Sequence, residues 1–453
     1  MEISKKKRHY CKMQGLYCEQ ITKNKQVFLD PDNVFWGIVK NESESSGFIS
    51  RELLSLYEKQ KNSCDKEMYD FRFKTGLTAV YVDPTDRCNA QCPYCYLPTQ
   101  TRKYGQSINQ AQLDRLLTKV VAYFEKIKRT PVIIFHAAEP LIVKDILFNS
   151  IARFKDKLYF GIQTNALLLE KEDVKFIEDH KVSIGISIDA ADAKTNNELR
   201  LSSGGGGNFD KAAQALEWFC GYNGLNVITT ITKKNVKKLP ALIDFLHSKG
   251  VRCVLMNPMR LTRKGARSLC PDVKEMTRYF IKAVDRSIEI SKSAKQDIII
   301  GNFTNIIIAI VAPTARRMMC DISPCGGGRT FLTVRANGDM IPCGEFVGVK
   351  GDFTGGNIFK NSIEKAMRSE AFEKIRGRYV EKIPECDVCL LRNICGAPCP
   401  AEMVSMGNLY KKSVFCEFYK EIIRYAFKLI SEGKEKYLLR PNALKNLKYE
   451  YRL

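Results

Sequence analysis

The fold class the sequence predicts is α/β: a partial (β/α)6 barrel with a cysteine-rich C-terminal domain and a small N-terminal α+β segment. Three observations predict it. Six short β-branched, apolar runs alternate with helical segments between residue 76 and about residue 292. The chain's 17 cysteines are grouped, not evenly spread. Composition, at 45% hydrophobic and 27% charged, suits a globular chain and excludes a disordered or collagen-like one. A length of 453 residues suits two or three domains, or one barrel with appendages.

The segment 1–75 comes first, with a hairpin over 26–30 and 33–40. Its turn, Asp30-Pro31-Asp32-Asn33, has the right residue types. A helix is expected over 49–61. The barrel occupies 76–295, with strands over 76–83, 131–136, 157–163, 182–189, 226–232 and 251–257. Each reads as a strand buried on both faces. Helices are expected over 108–128, 142–155, 170–180, 208–221, 237–249 and 272–292. In the first of these, Leu113, Leu117, Val120, Val121 and Phe124 repeat at helical spacing. Alternating strands and helices imply a parallel sheet. A connecting segment, 296–319, leads to a cysteine-rich domain over 320–420. The last stretch, 421–453, reads as a helix to about residue 430 and a solvated basic end at Lys434, Lys436, Arg440, Lys445, Lys448 and Arg452.

Barrels of this kind place their chemistry at the carboxyl ends of the strands. There the sequence sets Cys88, Cys92 and Cys95, then His136-Ala137-Ala138-Glu139-Pro140, Gln163-Thr164-Asn165, Ser187-Ile188-Asp189, Thr230 with Thr232, and Asn257 with Arg260. Polar residues at one end of every strand predict one open-faced site. The loop SSGGGGN at 202–208 follows the fourth strand and reads as a flexible loop placed to act as a lid.

The N-terminus has no apolar run after its basic start, and the most apolar stretch, 298–312, is shorter than the about 20 residues that span a bilayer. The expectation is a cytoplasmic protein with no membrane segment, where clustered thiols mean metal or redox chemistry. Three lie in DRCNAQCPYCYLP, spaced C-x3-C-x2-C. Eight more follow late: Cys320, Cys325, Cys343, Cys386, Cys389, Cys395, Cys399 and Cys416. Three thiolates on a cubane cluster leave one iron open, as a reactive site requires. A zinc site completed by a histidine is the structural alternative.

The triplet, with Tyr94 just before its third cysteine, resembles the signature of the radical S-adenosylmethionine (SAM) enzymes. That family's Gly-Gly-Glu-Pro motif stands here as Ala137-Ala138-Glu139-Pro140, so an added methyl at each alanine tightens the approach to the ligand. The resemblance implies that Glu139 accepts from the SAM ammonium. It also implies that Gln163, Thr164, Asn165 and Ser187 line the SAM pocket, and that Arg200 pairs with the SAM carboxylate. The late cysteines resemble the seven-cysteine SPASM domain of radical SAM enzymes that modify peptides: Cys325, twelve residues, Gly338, four residues, Cys343, then Cys386-x2-Cys389-x5-Cys395-x3-Cys399, sixteen residues and Cys416. Cys320 adds an eighth thiol. By family pattern Cys320, Cys325, Cys343 and Cys399 hold one auxiliary [4Fe-4S] cluster, and Cys386, Cys389, Cys395 and Cys416 hold another. With the Cys88, Cys92 and Cys95 cluster, the cofactors implied are SAM and three [4Fe-4S] clusters.

The implied activity is modification of a ribosomally made precursor peptide, joining a cysteine sulfur to a carbon as in sactipeptide and ranthipeptide maturases. Formylglycine formation of the sulfatase-maturase type and epimerisation are alternatives. The sulfatase type carries Asp directly after the cysteine matching Cys343, whereas here Gly344 and Glu345 follow. Glu345 and Cys270 are the candidate acid–base and hydrogen-donor residues. The N-terminal segment is a barrel cap or an element that grips a leader peptide by adding a strand. An electron donor such as flavodoxin or ferredoxin is implied as a further partner. The net charge is +22, from 72 Lys+Arg and 50 Asp+Glu. Three anionic clusters take it to about +17, which favours an acidic peptide. A zinc-bearing nucleic-acid binder is the reading from another class, but no basic stripe with interleaved aromatics supports it and no nucleic acid is expected.

Overall fold

The structure, a computed structural model, describes residues 11–13, 15–40, 49–294, 296–316, 320–396 and 399–439. The expected basic positions Arg440, Lys445, Lys448 and Arg452 lie outside the described residues. The chain opens on a four-stranded antiparallel sheet ordered β1 (Cys11–Met13), β2 (Leu16–Thr22), β3 (Lys25–Leu29) and β4 (Trp36–Lys40). The expected hairpin is its β3–β4 half, where Leu29 faces Trp36. The turn is held by Asp30, whose carboxylate accepts from the Asp32 amide and the Tyr57 hydroxyl, each at 2.8 Å. Helix α1 (Arg51–Tyr69), capped by Ser50 and longer than expected, covers the sheet through Leu16, Phe28, Phe35 and Tyr57.

Six parallel strands follow in chain order: β5 (Ala79–Val82), β6 (Val132–Phe135), β7 (Tyr159–Thr164), β8 (Ser183–Ser187), β9 (Leu225–Ile231) and β10 (Cys253–Pro258). After each comes its helix: α2 (Gln110–Lys126), α3 (Lys144–Phe154), α4 (Lys171–Asp179), α5 (Phe209–Trp218), α6 (Leu239–Ser248) and α7 (Val273–Ser293). Local chemistry sets the helix starts. The Asn109 side chain accepts from the Gln112 amide while the Gln112 side chain accepts from the Asn109 amide, a reciprocal cap on α2.

Burial on both faces does not hold for β5, β6, β9 and β10. In β5, β9 and β10 residues alternate between buried and half-buried, because Tyr81, Ile228, Thr230, Leu255 and Asn257 face an internal cavity, and in β6 Val132 is exposed and Ile134 half-buried.

The sheet also extends past the six expected strands. The expected connector 296–319 contributes β11 (Ile299–Ile300), parallel to β10, and helix α8 (Gly301–Val311). At the other edge β12 (Phe331–Val334) pairs parallel with β5, and β13 (Met340–Ile341) returns antiparallel, making nine strands. The cysteine-rich region thus shares the barrel's own sheet. Strands of two to four residues carry too little periodicity to be read from sequence.

Helix α9 (Cys416–Ser431) closes the fold. Phe280 of α7 is fully buried, with ring centroids 6.1 Å from Phe303 of α8 and 5.2 Å from Phe418 of α9. The N-terminal sheet docks behind these helices. Trp36 donates through Nε1 to the Ile310 carbonyl at 2.8 Å and packs edge-on to Phe427, while Arg424 donates to Glu19 at 2.7 Å. No described helix is long and apolar enough to cross a membrane.

Phe280→Ala removes the ring that three helices share. The expected cost is about 3–5 kcal/mol of stability, read as a lower denaturation midpoint.

Candidate active site

At the carboxyl ends of β5–β10 lies a cavity of about 420 Å³. The loop after β5 brings Cys88, Cys92 and Cys95 to its wall. Hydrogen bonds hold this loop from several sides. The Cys88 amide donates to the Arg102 carbonyl at 3.0 Å, the Gln91 amide to the Leu201 carbonyl at 2.7 Å, and Arg102 Nη1 to the Ala90 carbonyl at 3.1 Å. The expected lid loop at 202–208 is docked on it: the Ser203 amide donates to the Asn89 carbonyl at 2.8 Å, and Ser202 bridges Ala90. Gly207 permits the return, since a Cβ there would lie 2.0 Å from the Asn197 side chain.

Burial pushes the Cys88 thiol up to about 12 and Cys92 to about 11, and it raises Cys95. Neutral thiols are the stable form here without a bound cation, and a metal centre would supply the charge that makes them thiolates. Among the described residues no three His, Cys, Asp or Glu side chains are placed to hold a single metal ion. Three cysteines on one cavity fit the thiolate donor set of a multi-iron cluster.

Beside the triplet, where the Glu139 amide donates to the Arg87 carbonyl at 3.1 Å, lie Ala137 and Ala138, with φ of 58° and 45°. The chain keeps the left-handed turn that glycine would take freely, at about 1–2 kcal/mol per residue. Both alanines line the cavity, as do Gln163, Thr164, Asn165 and Ser187. Glu139 does not, and its expected role toward a ligand ammonium finds no support in its placement. It has no exposure, and its carboxylate accepts from Thr164 Oγ1 at 2.8 Å, the Asn165 amide at 2.7 Å and the Leu141 amide at 3.1 Å. It fixes the end of β7 instead. Burial lifts it to about 7, against the pull of those three donors.

Asp189, just past β8, is a hub that sequence reasoning noted only as a strand end. It accepts from the Tyr94 hydroxyl at 2.6 Å, the Thr230 amide at 2.8 Å and Arg200 Nη2 at 3.1 Å. Arg200 is buried and lines the cavity. Burial alone would lower its affinity for the proton, but the Asp189 charge outweighs that and raises it. Asn208 was also missed. It donates to the carbonyls of Asn165 at 2.8 Å and Ser187 at 3.0 Å, tying β7 to β8 below the site.

The same cavity is lined by Cys320, Cys325, Cys343 and Cys399. These four lie close enough for each to feel a charge on another of the set. Cys320 is exposed to the cavity yet enclosed by protein, so its thiol is pushed up. In the remaining group Cys395 lines the cavity, while Cys386, Cys389 and Cys416 form their own neighbourhood outside it. Glu345 reaches the cavity beside Arg260, at 3.8 Å, and burial raises it while Arg260 and His136 oppose the rise. Cys270 does not line the cavity and turns to the Pro271 carbonyl. That counts against it as a hydrogen donor here. Tyr419 of α9, three residues after Cys416, lines the roof. Its helical spacing from that cysteine was the available signal.

A barrel whose strand ends carry a cysteine triplet, with further cysteines lining the same cavity, defines an iron–sulfur enzyme class. Sequence profiles agree. The Radical SAM superfamily matches residues 82–246, and SPASM, an iron–sulfur cluster-binding domain, matches 325–390. An uncharacterized protein of Archaeoglobus fulgidus is 41% identical over 433 residues, 95% of this chain and 97% of its own. A cysteine-type anaerobic sulfatase-maturating enzyme of Clostridium novyi is 20% identical over 76% of this chain and 94% of its own. Two solved structures share the fold. One is anSMEcpe with bound AdoMet (TM-score 0.68, 19% identity, 79% of this chain and 99% of that one). The other is Streptococcus suis SuiB bound to its precursor peptide SuiA (TM-score 0.59, 16% identity, 89% and 99%). The chain belongs to the radical SAM superfamily, in the branch that carries a SPASM domain, and its cofactors are SAM and iron–sulfur clusters.

Two outcomes follow from this geometry. Ala138→Gly relieves the left-handed strain and stabilises the fold by up to about 1 kcal/mol, the gain being trimmed by glycine's freedom in the unfolded chain. Thermal unfolding reads it. For Glu139, the folded chain binds more protons than the unfolded chain between the ordinary 4.5 and about 7. This group's contribution to stability therefore rises as pH falls through that window. Glu139→Gln should remove that slope, so unfolding midpoints at about pH 5 and about pH 7.5 differ less in the variant than in the parent.

Proposed function

We propose that the protein is a peptide maturase that forms thioether crosslinks from a cysteine sulfur to a carbon of a ribosomally made precursor peptide. One observation carries the reading: a single cavity is lined both by Cys88, Cys92 and Cys95 and by Cys320, Cys325, Cys343 and Cys399. Cys88, Cys92 and Cys95 would hold the SAM-binding cluster, the second set one auxiliary cluster, and Cys386, Cys389, Cys395 and Cys416 a third. When bound, SAM and its cluster supply a 5′-deoxyadenosyl radical able to take hydrogen from an unactivated carbon. The chain's own residues bind, orient and exclude water. Arg200 and Tyr94 present a cation and an aromatic ring locked by Asp189. Ala137 and Ala138 bring backbone against the ligand, and α9 roofs the space. Thioether formation removes two hydrogens from the peptide, and an auxiliary centre on the same cavity suits such a net oxidation. The +22 charge favours an acidic peptide.

Formylglycine formation is the second reading, favoured by the names of sulfatase-maturating relatives. Against it, Gly344 follows Cys343, although Glu345 still reaches the cavity.

The test is mass spectrometry of a candidate precursor peptide co-expressed with the enzyme. Loss of two hydrogens per event, with the sulfur retained, is expected. Loss of sulfur means formylglycine, and unchanged mass with deuterium uptake from solvent means epimerisation. Replacing Cys88, Cys92 and Cys95 together with Ala should remove one cluster's worth of iron and all SAM cleavage while leaving two clusters. Unchanged iron content overturns the assignment.

A further inference from the structure

Two neighbouring strand ends set a histidine against a carboxylate. His136 is the first residue past β6 and Asp83 the first past β5, and the two strands pair in register with Val82 beside Phe135. The ladder runs one step further at both residues. The His136 amide donates to the Val82 carbonyl at 3.0 Å, and the Asp83 amide to the Val334 carbonyl at 2.9 Å. Side chains two apart share a face of a strand, so Asp83 follows Tyr81 on the face toward the cavity. Tyr81 and His136 both line that cavity, and their rings meet edge-on with centroids 5.4 Å apart. Asp83 Oδ1 lies 3.7 Å from His136 Nδ1. Both atoms are buried, and neither has a hydrogen-bond partner.

Asp83 is 2% exposed, and a carboxylate sealed away from water needs a partner. Burial raises it, Asp86 adds to the rise, and His136 opposes it ahead of Arg335. With Nδ1 turned to that carboxylate and carrying the ring hydrogen, Nε2 keeps its lone pair. The His136 side chain is 26% exposed although its Nδ1 is buried, so the open edge of the ring is the other one. Nothing among the described residues hydrogen-bonds Nε2. The place of the ring is distinctive. Tyr96 directly follows Cys95, and Gly344 directly follows Cys343. A Cβ on Gly344 would lie 3.6 Å from the Tyr96 hydroxyl and 3.8 Å from His136 Nδ1, so the loops that carry the two cysteine sets converge at the imidazole. A second carboxylate, Glu345, faces the ring as well, but it stands 3.8 Å from Arg260 and shares its charge there.

We propose that His136 is a catalytic residue of this cavity: its Nε2 takes the proton of the substrate's cysteine thiol as the thioether closes, and Asp83 is the positioning residue that aims it. The inference rests on the thioether reading above. That reaction breaks one S–H and one C–H bond and forms one C–S bond. The carbon gives its hydrogen atom to the 5′-deoxyadenosyl radical, which becomes 5′-deoxyadenosine. The sulfur gives its proton to Nε2. Joining the thiolate to the carbon radical releases one electron, which an oxidised iron–sulfur cluster accepts. The proton alone has no acceptor among the cofactors, so a side chain within reach of the sulfur must take it. His136 offers a free ring nitrogen between the two cysteine sets, where sulfur and radical carbon have to meet. Asp83 offers the counter-charge once that nitrogen is protonated.

The test is anaerobic turnover of the full chain with SAM, dithionite and the precursor peptide of the co-expression experiment. Chromatography reads 5′-deoxyadenosine and mass spectrometry reads crosslinked peptide. His136→Ala should lower the crosslinking kcat by about 100-fold or more, with the peptide KM little changed. 5′-Deoxyadenosine should still form, so its ratio to crosslink rises. Added imidazole should restore crosslinking to His136→Ala and leave the parent unmoved, a rescue that a structural role does not allow. Asp83→Asn should lower kcat by about tenfold or more with the same split. Diethyl pyrocarbonate adds a readout without turnover: bound peptide should protect His136 from acylation and leave His180, at the end of α4, as reactive as before. Crosslinking by His136→Ala at the parent's rate overturns the proposal. So does a loss in which 5′-deoxyadenosine and crosslink fall together and imidazole restores neither. If His136→Ala cannot hold its iron, Asp83→Asn decides, with a raised ratio in support and the parent's ratio against. A parent that takes no two hydrogens from the peptide defeats the thioether reading, and this inference with it, a failure distinguishable from a crosslinking parent indifferent to His136.

Discussion

One buried carboxylate organises the catalytic end of the barrel. Asp189 binds the hydroxyl of Tyr94 from the cysteine loop, the guanidinium of Arg200 after β8 and the amide of Thr230 in β9. Three segments distant in sequence are thereby fixed to one point. A buried pair of this kind adds little over an apolar substitute, but losing one partner costs about 3–5 kcal/mol. Its value is geometric. Arg200 cannot turn toward solvent while Asp189 holds it, so a cation and an aromatic face stay aimed at the cavity. The loop at 202–208, which follows Arg200, then lies across the segment between Cys88 and Cys92.

Much of this was legible in the sequence because it is local. The C-x3-C-x2-C triplet sits within eight residues, and the six barrel strands carry β-branched runs that any buried parallel strand needs. What escaped depends on partners far along the chain. β12 is a strand because β5 lies beside it, some 250 residues earlier, and its four residues have no pattern of their own. Glu139 is conspicuous in its motif, yet which atoms it binds is decided by the bend after β7. Asp189 reads as an ordinary strand-end residue until Tyr94 and Arg200 are brought to it. The grouping of thiols on the cavity likewise depends on where β12 and β13 carry Cys325 and Cys343.

Both cysteine sets on the cavity sit among buried arginines. Beside Cys88, Cys92 and Cys95, Arg200 is held by Asp189 and Arg102 by the Ala90 carbonyl. Beside Cys325, Arg316 and Arg329 donate to the carbonyls of Asp321 and Pro324. Buried thiols must ionise to hold a metal centre, so the stability of both regions is tied to what they bind.

The docking of the N-terminal sheet on α8 and α9 has a consequence for biosynthesis. Trp36 packs against Phe427, and Glu19 meets Arg424, so early strands bind to a helix made about 400 residues later. At ~5–20 residues per second, that partner does not exist for tens of seconds after the strands leave the ribosome. Until then the roof over the cavity is absent and the cysteine loop after β5 is open from above. Vectorial synthesis thus leaves an interval in which the triplet can be reached from outside, and β2 and β4 meet α9 only after it.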